Sequence, residues 1–169
     1  MFVKINKKIF FFVSIFFVLK IFLATYLPLV NDEAYAIAVS KEFSLSFFDH
    51  PPLGFISSQI FPKIFKFENE ILYRLPYLFY GLATTIILYQ IGKLIQNREV
   101  GLWSAIIYNI APFYFFSGGF FVVPDGPLNL GIALVGFCII KLNFENNKNE
   151  DFFLILLGCS LALCFASKY

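Results

Sequence analysis

The chain has 169 residues, of which 59% are hydrophobic and 14% are charged, and its mean hydropathy is +0.77. Soluble domains carry about 25% charged residues, so this composition excludes an ordinary soluble protein and indicates an integral membrane protein. The formal net charge of +2 gives no electrostatic reason to expect a nucleic-acid partner.

Five apolar segments reach or approach the length of a membrane-spanning helix. About 20 apolar residues cross the ~30 Å hydrocarbon core as a helix. The sequence therefore predicts an all-α fold, a polytopic transmembrane helical bundle of about five helices. The first segment is too long for a signal peptide and no small-residue cleavage site follows it, so we expect a retained helix. The predicted spans are residues 9–30, 75–95, 101–122, 127–142 and 152–169.

Basic residues in the short connections predict the orientation of the bundle. They precede the first span and also lie between the second and third spans and between the fourth and fifth. Cytoplasmic connections are enriched in Lys and Arg, so we expect a multi-pass inner (plasma) membrane protein with a cytoplasmic N-terminus. Residues 31–74, 124–126 and 167–169 then lie outside. The basic residues are Lys4, Lys7, Lys8, Lys93, Arg98, Lys141 and Lys148.

The first extracytoplasmic loop, residues 31–74, is predicted to contain short interfacial helices. Apolar residues recur every four positions over residues 32–43, which predicts an amphipathic helix with Asn31 or Asp32 as its N-cap. Proline is tolerated in a first helical turn, so a second helix is expected to start at residues 51–52. The recurring positions are Tyr35, Val39 and Phe43.

This topology brings residues that are far apart in sequence to one face of the membrane. Folding does not require paired carboxylates at the exit of a span, and a membrane enzyme keeps such groups at the water boundary. Clustering at one face is also unlike a transporter or flippase, whose carboxylates line a path through the bilayer midplane. The residues expected at this face are Asp32, Asp49, His50, Asp125 and Lys168.

Five sequence elements, in this order, resemble the N-terminal part of the GT-C fold glycosyltransferases. They are similar to the branch that contains the protein O-mannosyltransferases and the lipid A aminoarabinose transferases. The resemblance covers residues 1–169 and implies the N-terminal part of a GT-C membrane domain. We therefore expect a fragment that is inactive in isolation. The elements are NDEAY, FFDHPPLG, YRLPYLFYG, VVPDGPLNL and ASKY.

The resemblance implies an enzyme that moves a hexosyl or pentosyl group with inversion at the sugar carbon. The implied partners are a polyprenyl-phosphate sugar donor, the membrane lipids, and an acceptor that is a lipid, a protein or an envelope glycan. A divalent cation is a candidate cofactor. Two alternatives stay open, namely a transporter or flippase and a non-catalytic subunit of a membrane assembly.

Two aspartates are the candidate catalytic residues. Asp32 corresponds to the acid that the family places after its first helix, where it acts as general base on the acceptor hydroxyl. A helix dipole favours a negative charge at this position, and an ordinary N-cap is the alternative. Its neighbour Glu33 is interpreted as solvated or as supporting the cap. Asp125 is implied as a second active-site carboxylate, with a Pro-Asp-Gly turn as the alternative.

The candidate ligands of the lipid phosphate are His50, Arg74 and Lys168. His50 stands where the aminoarabinose transferases carry a lysine, and a protonated histidine would still donate to a phosphate. For Arg74 and Lys168 the alternative is anchoring at the membrane interface. The adjacent Asp49 is a candidate metal ligand, with capping of the next helix as its alternative. Lys20, in the middle of the first span, is interpreted as structural and as facing the bundle interior.

Overall fold

The computed structural model describes residues 7–144 and 149–168, and these residues form helices, turns and no strand. Predictions that rest on Lys4, Lys148 and Tyr169 lie outside the described residues. The helices are α1 (Lys7–Tyr26), α2 (Asn31–Val39), α3 (Leu53–Ile56), α4 (Ile60–Phe65), α5 (Glu70–Ile95), α6 (Arg98–Ile110), α7 (Pro112–Phe116), α8 (Asp125–Phe144) and α9 (Glu150–Ser167), with a 3₁₀ turn at Ser57–Gln59 between α3 and α4.

The predicted all-α membrane bundle is confirmed. Four helices in the described part of the chain are long and apolar enough to cross a membrane. They correspond to the first, second, fourth and fifth predicted spans. The four segments are Ile9–Tyr26, Glu70–Ile95, Asp125–Asn143 and Glu150–Ser167.

The third predicted span, residues 101–122, is not one continuous helix. Ala111 has extended backbone angles of φ −67° and ψ 119°, because the proline that follows it disfavours the helical conformation. The chain resumes as the short α7 and then forms turns up to α8. This segment still runs the length of the bundle. Ala105 packs with Tyr89 near the end of α5, and Phe120 packs with Leu78 near its start.

The bundle has two chemically different ends. Lys7 begins α1, Lys93 lies in the last turn of α5 and Arg98 begins α6, and we call this the basic end. Ile9 of α1 packs against Tyr89 of α5 there. The opposite, acidic end carries the loop between α1 and α5 together with the start of α8 and the end of α9. Lys7, Lys93 and Arg98 therefore lie at the end opposite Asp32, Asp125 and Lys168, as the predicted topology requires.

The first helix of the loop begins close to where it was predicted, but it ends at Val39, before the predicted residue 43, and its buried face is different. Glu33, Ala36 and Ile37 are buried, whereas Tyr35 is 45% exposed and Phe43 is 69% exposed. The N-cap is Val30, so the prediction of Asn31 or Asp32 is wrong. The helix turns a carboxylate inward because Glu33 has a charged partner in the interior.

The predicted start of the second loop helix is confirmed, since α3 follows its N-cap Pro52 directly. A glycine lets this helix approach the start of α8. A Cβ atom on Gly54 would lie 2.8 Å from the Cα of Pro124. The Tyr77 hydroxyl of α5 also donates a hydrogen bond to the Gly54 carbonyl. These contacts hold the loop over the acidic end of the bundle.

Candidate active site

A cavity of about 220 Å³ opens at the acidic end, and we call it the acidic cavity. It lies where the start of α2, the segment before α3, the start of α8 and the residue after α9 meet. Five of the six predicted site residues line it, and Arg74 does not. Its lining residues are Asp32, Tyr35, Asp49, His50, Phe55, Val122, Val123, Pro124, Asp125 and Lys168.

A buried ion pair holds the frame beneath this cavity. Arg74 Nε donates to Glu33 Oε1 at 2.8 Å, and Arg74 Nη2 donates to Glu33 Oε2 at 2.5 Å. Both side chains have 0% exposure. Two parallel charge-assisted hydrogen bonds fix direction as well as distance, so α2 is locked in one orientation against α5.

The remaining N–H donors of Arg74 bond to backbone carbonyls at the end of α1. Its Nη1 group donates to the carbonyls of Ala24 at 2.9 Å and Leu27 at 2.7 Å, and its Nη2 group also donates to the Pro28 carbonyl at 3.0 Å. A guanidinium has five N–H donors, and these contacts use them all. The predicted role of Arg74 as a ligand of the lipid phosphate is at odds with this geometry, because no donor is left for a ligand.

Glu33 is also bonded to the chain that leads into α8. Its Oε1 accepts the Val122 N–H at 3.0 Å, and its Oε2 accepts the Val30 N–H at 3.2 Å. The interpretation of Glu33 as solvated is wrong, whereas its role in supporting the helix start is present. One carboxylate therefore connects the start of α2, the start of α5 and the segment before Asp125.

Asp32, the neighbour of Glu33, faces the cavity and is exposed. Within the described part of the chain its carboxylate has no hydrogen-bond or ion-pair partner. Its backbone is nevertheless fixed, because the next residue is locked by Arg74. The site thus offers a carboxylate on a fixed backbone, and its oxygens are free to accept a proton.

Asp125 and Lys168 form an ion pair that also lines the cavity. Lys168 Nζ donates to Asp125 Oδ1 at 2.9 Å, and the two side chains are 39% and 18% exposed, respectively. Asp125 opens α8, and Lys168 directly follows α9. An ammonium carries three N–H donors, so two remain for a ligand. The ion pair therefore holds the Lys168 ammonium group in place in the wall of the cavity.

Asp49 and His50 complete the rim. The Tyr35 hydroxyl donates to Asp49 Oδ1 at 3.2 Å. Desolvation and the nearby Asp49 carboxylate raise the pKa of Tyr35, so its hydroxyl stays protonated as a donor. The His50 ring packs edge-on against Phe55 with centroids 5.4 Å apart. Neither imidazole nitrogen has a hydrogen-bond partner among the described residues, so both are available to a ligand.

Comparison with known families identifies the class of protein. Residues 49–169 match the dolichyl-phosphate-mannose-protein mannosyltransferase family. The chain belongs to this family. No curated protein and no solved structure matches it. The family is one of membrane glycosyltransferases, in agreement with the bundle of apolar helices. The match begins at Asp49, so Asp32 and Glu33 precede the matched segment.

A metal ion held by the protein would need several of the described side chains arranged around it. No group of three His, Cys, Asp or Glu side chains in residues 7–144 and 149–168 is arranged to hold one. Asp49 instead accepts a hydrogen bond from Tyr35, and Asp125 is paired with Lys168. Metal ligation by Asp49 stays a prediction.

Sequence reasoning did not place Tyr35 in the wall of the acidic cavity, and it did not predict that Glu33 is buried. Glu33 has the spacing of the buried residues Ala36 and Ile37, three and four positions later, which was the available signal. Tyr35 follows Asp32 by three residues and so lies on the same helix face. Neither spacing was as clear as the four-residue repeat of apolar residues that ends at Phe43, and the repeat predicted a different buried face.

Proposed function

We propose that this protein transfers a sugar from a polyprenyl-phosphate donor to an acceptor on the extracytoplasmic face, with inversion at the sugar carbon. The observation that supports this most is the acidic cavity, because an unpartnered carboxylate and a lysine held by an ion pair both line it. A base for the acceptor hydroxyl and a cation for the departing phosphate are what the displacement of phosphate from a sugar requires. Membership of the mannosyltransferase family supports the same reaction class.

In the proposed reaction, Asp32 takes the proton of the acceptor hydroxyl as its oxygen attacks the anomeric carbon. The bond between that carbon and the phosphate oxygen breaks on the opposite face, and polyprenyl phosphate leaves with the bonding electrons. Attack and departure on opposite faces produce the inversion. The exposed position of Asp32 in the first turn of α2 supports this role.

Lys168 and His50 are proposed to bind the departing phosphate. Lys168 keeps two N–H donors after its bond to Asp125, and negative charge on the leaving oxygen grows during the reaction. Asp125 is proposed as the second active-site carboxylate, acting by holding the Lys168 ammonium in place. His50 donates to the same phosphate when protonated.

The acidic end is proposed to face outwards from an inner (plasma) membrane, with the basic end in the cytoplasm. Lys7, Lys93 and Arg98 at the basic end support this orientation through the excess of positive residues in cytoplasmic connections. A lipid, a protein or an envelope glycan is the proposed acceptor.

The test uses the full-length protein in membranes, as wild type and as Asp32→Asn. Mass spectrometry follows the loss of polyprenyl-phosphate sugars and the appearance of free polyprenyl phosphate. Removal of a general base costs about 10²- to 10⁴-fold, so the variant should turn over donor at least about a hundredfold more slowly. Glu42→Gln, an exposed acid on the same loop, is the matched control.

Equal turnover by wild type and Asp32→Asn would reject Asp32 as the base. If neither protein consumes any polyprenyl-phosphate sugar, the transferase proposal fails, and a transporter or a non-catalytic subunit takes its place. Loss of activity in Glu42→Gln as well would assign the effect to the loop as a whole.

A further inference from the structure

A second polar cavity, of about 510 Å³, lies on the flank of the loop between α1 and α5. We call it the basic cavity. None of its lining residues lines the acidic cavity. It lies between the end of α2, the 3₁₀ turn, α4 and the residues before α5. The polar residues in its walls are Lys41, Gln59, Lys63, Lys66 and Glu68.

The charge around this cavity is unbalanced. Lys41 Nζ lies 3.4 Å from Glu68 Oε2, so one lysine has an acidic partner. A hydrogen bond from Tyr73 and the Lys41 charge hold the pKa of Glu68 below its ordinary value, which keeps this carboxylate ionised. Lys63 and Lys66 have no acidic partner among the described residues. The cavity therefore presents two uncompensated ammonium groups.

The wall behind the lysines is ordered. Gln59 is 5% exposed, and its Nε2 donates to the Ile37 carbonyl at 3.2 Å and to Ser40 Oγ at 2.9 Å. Lys66 ends α4 in the left-handed conformation with φ 54°, which is disfavoured for a residue that carries a Cβ atom. The backbone thus holds Lys66 in an uncommon geometry at the edge of this cavity.

The surroundings of the cavity are those of a membrane surface. Ile64, Phe65 and Phe67 alternate with the lysines and are 65%, 60% and 60% exposed. Exposed aromatic and aliphatic side chains next to lysines are typical of segments that lie in the interface between headgroups and acyl chains. The membrane-spanning α5 begins at Glu70, directly after this segment. The anion that such an interfacial segment meets first is a lipid headgroup.

We propose that the basic cavity binds the phosphate headgroup of an anionic phospholipid. Lys63 and Lys66 donate to the phosphate oxygens, and the apolar residues beside them contact the acyl chains. This site is independent of the proposed sugar transfer, because it has its own residues and its own ligand. Electrostatic attraction of lysines to anionic lipid, about 1 kcal/mol each, corresponds to about fivefold in affinity for each lysine.

The test uses a local fluorescence reporter in the full chain. The sequence has one tryptophan, Trp103, so Trp103→Phe combined with Phe65→Trp places a single reporter beside Lys66. The protein is reconstituted in phosphatidylcholine nanodiscs that contain either brominated phosphatidylglycerol or brominated phosphatidylcholine. Preferential quenching by brominated phosphatidylglycerol is the expected result. Lys63→Gln with Lys66→Gln should lower this preference by about 30-fold, close to parity.

The matched control is Lys7→Gln with Arg98→Gln, which removes the same charge from exposed positions at the basic end. It should leave the preference at the reporter unchanged. Equal quenching by both lipids in the wild-type background, or an unchanged preference after loss of Lys63 and Lys66, would overturn the proposal. Displacement of brominated phosphatidylglycerol by added inorganic phosphate would assign the cavity to free phosphate instead of lipid.

Discussion

Asp32 and Glu33 are neighbours in the first turn of α2 and have opposite surroundings. Glu33 has 0% exposure and accepts hydrogen bonds from Arg74, Val30 and Val122. Asp32 is exposed, and no described residue bonds to its carboxylate. The oxygens of Glu33 are thus all bonded within the protein, whereas those of Asp32 are available to a ligand.

The different surroundings suit the two residues to different roles: Glu33 supports the fold, and Asp32 is available to a ligand. A buried charge is tolerated only when it is paired and hydrogen-bonded, so Glu33 cannot exchange its partners for a substrate. A carboxylate that is to accept a proton needs free oxygens within reach of a ligand. The ion pair between Asp125 and Lys168, which is partly exposed, lies between these extremes.

The largest expected effect comes from breaking the buried ion pair. Glu33→Gln keeps the volume but removes the charge, which leaves the Arg74 guanidinium uncompensated. We expect a loss of about 3–5 kcal/mol in the free energy of unfolding, measured by thermal unfolding in detergent. Glu42→Gln, the exposed control, should unfold like wild type. Equal stability of Glu33→Gln and wild type would show that Glu33 does not support the fold in the proposed way.

Breaking the ion pair in the acidic cavity should lower activity strongly and change stability little. Lys168→Met is expected to slow sugar transfer by about 10²- to 10³-fold, the usual cost of removing one stabilising group from a transition state. Its unfolding free energy should change by less than about 1 kcal/mol, because the pair is partly exposed. Lys168→Arg keeps the charge and should retain more activity than Lys168→Met. Strong destabilisation without loss of turnover would make Lys168 structural.

A second interior contact extends the comparison to a cation without a carboxylate partner. Lys20 Nζ donates to Asn109 Oδ1 at 2.7 Å, and Asn109 Nδ2 donates to Thr85 Oγ1 at 2.9 Å. The interpretation of Lys20 as an inward-facing residue agrees with its 3% exposure. Asn109→Ala should cost about 1–3 kcal/mol of stability, since buried partners are left unsatisfied. Lys20→Met combined with Asn109→Leu should recover most of this loss in the same unfolding assay.

The smallest perturbation tests which end of the bundle faces outwards. Ser44→Cys and Asn97→Cys, each in a background without the native cysteines, change a partly exposed position and an exposed position at opposite ends. An impermeant thiol reagent should label intact cells at position 44 and not at position 97. Gly126 and Ser167 are unsuitable because they are buried. Labelling at position 97 would reverse the proposed orientation.

The spans and the meeting of the site residues were predictable because apolar length and alternation of sides are properties of the chain itself. Asp125 and Lys168 are 43 positions apart. The two helices between them each cross the membrane once, so both residues are expected at the same end. The break in the third span was less visible, because summed hydropathy does not register the effect of Pro112. The buried face of α2 was mispredicted, since Glu33 is matched by Arg74, 41 positions later, and no local pattern contains that partner.

The hydrogen bond from Val122 to Glu33 joins residues 89 positions apart. Its consequence concerns biosynthesis, because the ribosome makes the chain from the N-terminus. Once the first loop and the start of α5 have been synthesised, Glu33 can pair with Arg74. The Val122 N–H, which also donates to Glu33, has not yet been synthesised at that point. The loop is complete only after the third crossing has been inserted. Assembly of the acidic end is therefore a late event, and failure of the third crossing to insert would leave a buried carboxylate short of one hydrogen bond.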